Sequence, residues 1–317
     1  MPKIKPLYDG IKLSCTIVAD THIDIRHPMP YLPKRLLKNV LRDAVNSSDT
    51  LDAVIVIGDT VSRGNEINWN LARECFSKYP FKKTILALGN HDTWNDDGYD
   101  AAINEYKKAY EDICGKKRDK VYFSEDLNSY RMIFLGSEYE GGCEANFSDE
   151  QLMWLDSELA DGTKDSKPVF VFCHQSLNGK HGLPMTSDRD GTMDLPPEEG
   201  GVGEKSEEIE NILKKYKNVF YFSGHSHMGL CGEKSLRQYG FSSFENEGNI
   251  EYINLPSLAC GNHHGEIGGN CIGVQLEVYD KKVVLRPRSY HFDTYLEKQF
   301  GITPERRAKW QEIYLEK

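Results

Sequence analysis

The sequence predicts an α/β fold, and three observations lead to this class. The chain has 317 residues, of which 39% are hydrophobic and 28% are charged, as is usual for a globular protein with a sizeable core. Short apolar runs, typical of strands buried on both faces, alternate with amphipathic segments of helical spacing. Several of these runs end in glycine followed by aspartate, asparagine or histidine. Repeated strand–helix units favour parallel strands, which gather ligands at their carboxyl ends.

The first half of the chain repeats this strand–helix pattern three times. Predicted strands occupy residues 11–18, 53–57 and 84–88, and each is followed by a predicted covering helix, at residues 33–48, 66–79 and 100–114. The last of these helices is expected to end at Gly115, because glycine readily adopts the left-handed conformation of a helix cap.

The second half adds strands, one helix with a clear start signal and a long loop. Residues 148–151, Ser-Asp-Glu-Gln, form a capping box that opens a helix. A polar loop from residue 175 to about 205 is expected to shape substrate access. Further strands are predicted at residues 130–135, 167–173, 218–223 and 250–255, followed by a hairpin of 272–279 and 282–288 and a terminal helix opened by Thr303 and Pro304. Without a linker or internal repeat, residues 1–317 are predicted to form one domain.

Charge and apolar patterning narrow the range of partners. The 39 Lys and Arg residues against 49 Asp and Glu residues give a net charge of −10, which disfavours nucleic acid and anionic membranes as partners. No apolar stretch approaches the ~20 residues of a membrane span. The N-terminal residues lack the apolar run of a secretory signal, so we expect a cytoplasmic location and reduced cysteines. The oligomeric state is left open.

Side chains suited to metal binding follow five of the predicted strands. They are Asp20, His22, Asp59, Asn90, His174, His225 and His227. Residues two apart in an extended segment point to the same side, so His225 and His227 can aim at one point. Carboxylates, imidazoles and an amide suit a first-row metal such as Mn, Fe or Zn. Seven ligands exceed the needs of one catalytic ion and fit two divalent or trivalent ions about 3.5–4 Å apart that share a carboxylate.

The order of these motifs resembles that of the calcineurin-like metallophosphoesterases. The motifs are Asp20-x-His22, Gly58-Asp59, Gly89-Asn90-His91-Asp92, His174 and Gly224-His225-x-His227, and they span residues 11 to about 230. Residues 135–137 and 151–155 also resemble the cyclic-nucleotide phosphodiesterase and purple-acid-phosphatase-like branch. The resemblance implies a four-layer α/β/β/α sandwich of two mixed sheets flanked by helices, with the metals at the C-terminal ends of strands.

The resemblance also implies a role for each position and a reaction. One ion would be held by Asp20, His22 and His227, and a second by Asn90, His174 and His225, with Asp59 bridging the two. His91 would lie near the leaving oxygen, as general acid or phosphate stabiliser. The reaction implied is hydrolysis of a phosphate ester by attack of a metal-bound hydroxide.

The loop after the second strand departs from the related protein Ser/Thr phosphatases. Ser62 stands where those enzymes have an aspartate that pairs with the catalytic histidine, so another group, such as a backbone carbonyl, must orient His91. Arg63 matches their phosphate-clamping arginine, and a planar guanidinium suits phosphate. His263 and His264, in a glycine-rich loop, are candidates for substrate binding or for a structural, solvent-facing role.

Several functions are compatible with this pattern. The leading hypothesis is a dinuclear phosphoesterase acting on a small-molecule phosphodiester or nucleotide. A phosphomonoesterase or nucleotide pyrophosphatase would use the same metal centre. A non-catalytic metal-binding scaffold is disfavoured because all seven ligands and His91 are present, and a DNA-end nuclease is disfavoured by the net charge of −10.

Overall fold

Two β-sheets carry the fold, which the computed structural model describes for residues 3–182, 201–262, 265, 267, 271–296 and 312–316. In chain order the strands are β1 (Leu13–Ala19), β2 (Ala53–Ile57), β3 (Thr84–Ala87), β4 (Phe123–Leu127), β5 (Tyr130–Phe134), β6 (Val169–Phe172), β7 (Val219–Ser223), β8 (Phe244–Glu247), β9 (Ile250–Asn254), β10 (Ile272–Tyr279), β11 (Lys282–Ser289), β12 (Thr294–Tyr295) and β13 (Glu312–Tyr314). The helices are α1 (Tyr31–Asn46), α2 (Glu66–Lys78), α3 (Tyr99–Cys114), α4 (Asp149–Gly162), α5 (Ser206–Leu213) and α6 (Glu233–Tyr239).

Both sheets are mixed, and each contains a parallel group of strands. The first sheet has the order β12-β11-β10-β1-β2-β3, with β13 paired to β11, and its strands β1, β2 and β3 are parallel. The second has the order β4-β5-β6-β7-β9-β8, and β5, β6, β7 and β9 are parallel. Each parallel group therefore collects several strand C-termini at one edge of its sheet.

The layers of the fold follow from the alternation of side chains along the strands. In β6, Phe170 and Phe172 join the core formed with the first sheet, whereas Val169 and Val171 pack with α4 and α5. Phe172 stacks between Phe134 at 4.8 Å and Phe222 at 5.2 Å, measured between ring centroids. Helices α1, α2 and α3 contribute to the same core as the first sheet. The predicted sandwich of two mixed sheets flanked by helices is confirmed.

The helix boundaries follow the signals in the sequence. The Ser148 side chain accepts a hydrogen bond from the Gln151 N–H and caps α4, as the capping box predicts. Helix α3 ends at Gly115, which has the left-handed cap conformation, with φ of 69°. Helix α2 begins after Asn65, whose side chain accepts from the Asn68 N–H.

The differences from the sequence prediction lie at sheet edges and near the C-terminus. Strands β4 and β8 were not predicted, because their alternating polar residues suit edge strands better than buried ones. The predicted start of the terminal helix, Thr303–Pro304, lies outside the described residues, as does the middle of the 175–205 loop. Residues Glu312–Tyr314 form β13 rather than helix, because they pair with β11. Among the described segments, none of the helices has the length and apolarity needed to cross a bilayer.

Candidate metal centre

The candidate ligands lie directly beyond the carboxyl ends of β1, β2, β3, β6 and β7. Five of them adopt a left-handed backbone, which is uncommon outside glycine. They are Asp20 (φ 56°), His22 (φ 50°), Asp59 (φ 48°), His225 (φ 69°) and His227 (φ 49°). Strained backbone of this kind clusters at functional sites, where the surrounding fold holds it in place.

Glycines at three strand ends let the two sheets bring these loops together. A Cβ at Gly58 would clash with the His174 ring, and one at Gly89 would clash with Asp59. A Cβ at Gly224 would lie 2.5 Å from an Oδ atom of Asp20. Any other residue at these positions would therefore push a candidate ligand away.

One group of ligand atoms surrounds Asp20. The Nε2 atoms of His22 and His227 are 3.0 Å apart, and Asp20 Oδ1 lies 3.1 Å from the His227 Nε2 and 3.8 Å from the His22 Nε2. Donors bound to one ion at about 2.0–2.2 Å are separated from each other by about 3–3.5 Å. The His22–His227 and Asp20–His227 separations thus match those of ligands to a single ion, and the Asp20–His22 separation is slightly longer.

A second group surrounds Asp59, which also belongs to the first. The Asp59 Oδ2 lies 3.1 Å from the His174 Nε2 and 3.4 Å from the His22 Nε2. His225 completes this group, with its ligand atom within 4.8 Å of those of Asp59 and His174. The His174 Nδ1 donates to the Ile57 carbonyl at 2.9 Å, which turns Nε2 toward the site.

Several candidate ligands carry buried polar atoms that form no hydrogen bond with the described residues. Among the described residues, both buried amide atoms of Asn90 have no hydrogen-bond partner, and the buried Asp59 Oδ2 and His174 Nε2 form no hydrogen bond although they lie 3.1 Å apart. Buried polar groups are almost always paired, so unpaired ones in a cluster need an explanation. The donor set of carboxylate, imidazole and amide fits a first-row metal ion.

The electrostatics of the site also call for positive charge. Burial opposes ionisation of Asp20 and Asp59, but the neighbouring imidazoles outweigh it and hold the pKa of both carboxyls below the usual range. Burial likewise lowers the pKa of His174, yet the charges of Asp59 and Asp20 win and raise it to about 9. Burial lowers the pKa of His225 to about 3. Two buried carboxylates are therefore kept ionised by the imidazoles around them, of which His22 and His174 have raised pKa values in turn, and a metal ion bound at the same atoms would supply this positive charge.

His91 lies beside these groups, in a 3₁₀ turn over His91–Thr93. Its Nδ1 lies 3.1 Å from the Ser62 carbonyl, to which it donates, so the prediction that a backbone carbonyl orients the ring is confirmed. The ring packs on Trp94, with centroids 3.9 Å apart, and its main-chain N–H donates to Asp59 at 2.9 Å. Burial lowers the pKa of His91. The ring is thus fixed next to the Asp59 carboxylate by its Nδ1–H, its main-chain N–H and its packing on Trp94.

A family model described as calcineurin-like phosphoesterase matches residues 13–229, more than half of the chain. The chain belongs to the calcineurin-like phosphoesterase family.

Relatives of this phosphoesterase include named phosphodiesterases. A glycerophosphodiester phosphodiesterase from Enterobacter lignolyticus is 29% identical over 125 residues, which are 39% of this chain and 41% of the relative. A probable cyclic nucleotide phosphodiesterase from Rhodococcus erythropolis is 32% identical over 134 residues, 40% of this chain and 41% of the relative. The matched region thus spans about two-fifths of these relatives' length.

Solved structures confirm the fold of the phosphoesterase. A dimetal phosphatase from Danio rerio aligns with a TM-score of 0.60 and 14% identity over 88% of this chain and 97% of that one. A purple acid phosphatase from yellow lupin aligns with a TM-score of 0.58 and 13% identity over 89% of this chain and 52% of that one. At such low identity the likeness concerns the architecture alone.

The other predicted site residues are Arg63, which pairs with a surface carboxylate, and two histidines outside the described chain. The Arg63 guanidinium pairs with Asp96 at 2.8 Å, and its side chain is 39% exposed. Its phosphate-binding role stays a prediction. His263 and His264 lie outside the described residues. Cys173, which precedes the candidate ligand His174, packs in the α4 and α5 cluster.

One residue beside the ligands, Cys260, was missed by sequence analysis. Its Sγ lies within 4.8 Å of ligand nitrogens of both His22 and His227. Cys260 belongs to the loop after β9, whose carboxyl end shares the sheet edge with β6 and β7. The end of β9 was thus the signal available in the sequence. It is less conspicuous than the other strand ends, because no glycine followed directly by a potential ligand begins the loop.

Proposed function

We propose that this phosphoesterase uses two metal ions to hydrolyse a small phosphodiester or a nucleotide. The observation that carries the proposal is the pair of ligand groups that share Asp59. One carboxylate common to two groups is the arrangement expected of a bridging ligand. Two-metal sites of this kind are typical of enzymes that cleave phosphate esters.

The proposed ligand sets divide along the geometry of the two groups. The first ion would be held by Asp20, His22 and His227, and the second by Asn90, His174 and His225, with Asp59 between them. When bound, two such ions polarise a phosphoryl oxygen and make water acidic enough to act as nucleophile near neutral pH. The protein holds the metal-binding atoms in place through hydrogen bonds. The Ile57 carbonyl orients His174, and the Asp20 carboxylate accepts a hydrogen bond from the main-chain N–H of His225 at 3.1 Å.

His91 is proposed to exchange a proton with the leaving oxygen. Its Nδ1–H is committed to the Ser62 carbonyl, so Nε2 is the atom that can reach the substrate. Trp94 and the edge of the His22 ring confine the imidazole, with centroid distances of 3.9 and 4.6 Å. A positioned group of this kind contributes about 10²–10⁴ in rate.

The names of the relatives support a diester substrate. Both the glycerophosphodiester and the cyclic nucleotide enzymes act, by their names, on phosphodiesters. We therefore expect higher kcat/KM for bis-p-nitrophenyl phosphate, glycerophosphodiesters or cyclic nucleotides than for p-nitrophenyl phosphate, in assays with added Mn²⁺. A preference for p-nitrophenyl phosphate would favour the phosphomonoesterase alternative. Metal-loaded protein that hydrolyses none of these esters would overturn the proposal.

Asp59→Asn tests the bridging role directly. Loss of the shared negative charge leaves two cations poorly neutralised, so we expect bound metal to fall below two ions and kcat to drop at least about 100-fold. Asp112→Asn is the matched control, since Asp112 is 58% exposed and pairs with Arg73 on the surface. Elemental analysis and circular dichroism accompany the kinetics. Activity of Asp59→Asn within tenfold of wild type would contradict the assignment.

A further inference from the structure

The loop after β9 is tied to the end of β1, where the first ligand group begins. The Asp20 carbonyl accepts hydrogen bonds from the Ser257 hydroxyl at 3.1 Å and from the Ala259 N–H at 3.3 Å. The Leu258 N–H donates to the Ala19 carbonyl at 2.9 Å. The loop is therefore held in a defined position against the strand end that carries Asp20.

The same hydrogen bonds set the position of Cys260. Its main-chain N–H donates to the Ser257 hydroxyl at 3.0 Å, and Asn262 braces Ser257 through bonds to its N–H and its carbonyl, at 2.9 and 3.1 Å. The Sγ atom then lies within 4.8 Å of the ligand nitrogens of His22 and His227. The Nε2 atoms of the same two imidazoles are 3.0 Å apart, so the thiol lies beside a pair of rings that already meet in the first ligand group.

The chemistry of this third donor differs from that of the other ligands. A thiol gives up its proton to solvent when it binds a metal, and the resulting thiolate is a soft ligand that favours Zn²⁺ over Mn²⁺. Carboxylate, imidazole and amide donors alone discriminate much less between these ions. In the described part of the chain, no other cysteine belongs to a group of potential metal ligands.

We propose that the Sγ of Cys260 binds the metal ion held by Asp20, His22 and His227, and that it makes this position selective for Zn²⁺. The inference rests on the proposed metal centre and adds a ligand and a metal preference to it. Zn–S bonds of about 2.3 Å require only a small approach of the thiol toward the two imidazoles.

Cobalt substitution tests the ligand without relying on activity. Metal-free protein is loaded with Co²⁺, and absorption is recorded in the visible range, for bound cobalt, and in the near ultraviolet, for thiolate-to-cobalt charge transfer. Wild type is expected to show both bands, and Cys260→Ser only the visible ones. When Zn²⁺ and Mn²⁺ compete for the site, the affinity for Zn²⁺ relative to Mn²⁺ should be at least about tenfold lower in Cys260→Ser than in wild type. Changes of this size follow even the loss of a group that only contacts a metal ligand.

The matched control is Cys114→Ser, since Cys114 is also partly exposed but ends helix α3. It should keep the charge-transfer band. Visible cobalt bands without a charge-transfer band in wild type would overturn the role of Cys260 and leave the metal centre standing. A charge-transfer band that persists in folded Cys260→Ser would also overturn it. Wild-type protein that binds no cobalt would overturn the metal centre itself, and this inference with it.

Discussion

At the residue scale, the ligands combine backbone strain with buried charge. The left-handed backbone of Asp20, His22 and Asp59 costs about 1–3 kcal/mol at each position. Hydrogen bonds between the loops hold these conformations: the His22 N–H donates to the Asp59 carbonyl at 2.8 Å, and the Asp20 N–H donates to the Gly58 carbonyl. The strained residues are thus fixed in place by the fold around them.

His91→Ala should separate leaving-group chemistry from metal binding. An alkoxide leaving group needs a proton, whereas p-nitrophenolate hardly does. We therefore expect the variant to lose about 10²–10⁴ in kcat with an alkyl or ribose ester, and far less with bis-p-nitrophenyl phosphate. Elemental analysis should find the same metal content as in wild type. Equal losses on both ester types would assign His91 to phosphoryl charge stabilisation, and loss of metal would make it a ligand.

The buried imidazole of His181 should make the folded protein less stable at acid pH. It is fully buried, its Nδ1 donates to the Ser242 carbonyl at 2.8 Å, and burial lowers its pKa to about 4. The unfolded residue, with a pKa of about 6.5, takes up a proton first as pH falls. Stability is therefore full above about pH 6.5 and declines toward pH 4, by about 2 kcal/mol at pH 5 from this group alone.

Urea unfolding of metal-free protein at pH 7 and pH 5 measures this contribution. His181→Gln should be less stable than wild type at pH 7, because it loses packing on Phe241 and the bond to Ser242. It should lose less stability than wild type between the two pH values. Parallel pH dependence in the two proteins would show that His181 does not set this slope.

At the scale of elements, the loops that follow β2 and β3 lie directly against each other. Gly89 follows β3 within two residues and lies against Asp59, which follows β2. The Asp92 carboxylate links the two loops, because it accepts hydrogen bonds from the Val61 N–H at 3.0 Å and from the Gly89 N–H at 2.9 Å. Burial, and then the charge of Asp59, raise the pKa of Asp92 to about 7.

Gly89→Ala should displace the Asp59 carboxylate, which is proposed to bridge the two ions. The added Cβ would overlap with the main-chain nitrogen and a carboxylate oxygen of Asp59, so metal content and kcat should both fall. Gly115→Ala is the control: its φ of 69° makes alanine strained there, while no atom of the described residues, its own chain neighbours aside, lies within 4 Å of the new Cβ. The control should lose about 1 kcal/mol of stability and no metal. Full metal occupancy in Gly89→Ala would refute the close-approach argument.

At the scale of the whole molecule, the ligand groups join the two sheets. Asp20, His22 and Asp59 follow strands of the first sheet, whereas His174 and His227 follow strands of the second. The Asp59–His174 contact of 3.1 Å and the Asp20–His227 contact of 3.1 Å both cross between the sheets. Ions bound at these contacts would connect the halves of the sandwich.

Removal of metal should therefore lower the thermal stability of the whole fold. A ligand at 100 times its Kd stabilises the native state by about 2.7 kcal/mol, so chelation should lower Tm by a few degrees. Differential scanning calorimetry with chelator and with added Mn²⁺ or Zn²⁺ measures the shift. Asp59→Asn, with its bridging ligand removed, should show a smaller shift. A Tm that is indifferent to metal in wild type would argue against ligands shared between the sheets.

The sequence alone determined the fold class, most strand positions, the helix caps and the set of strand-end residues that converge. These features are local: a buried parallel strand needs an apolar run, a helix start needs a capping side chain, and a sharp turn at a strand end needs glycine. Asp59 could thus be singled out from Gly58-Asp59 after residues 53–57, and Ser148 from its capping box. Their metal-binding and catalytic roles remain proposals.

Tertiary structure alone decided which distant groups meet. The Ser62 carbonyl reaches His91 because two loops from neighbouring strands fold over each other, and Cys260 reaches His22 because the β9 loop is hydrogen-bonded to the end of β1. Strand β13 forms because Ile313 pairs with Val283. Such contacts depend on side-chain and main-chain partners far apart in the chain, which leave no periodic or local pattern in the sequence.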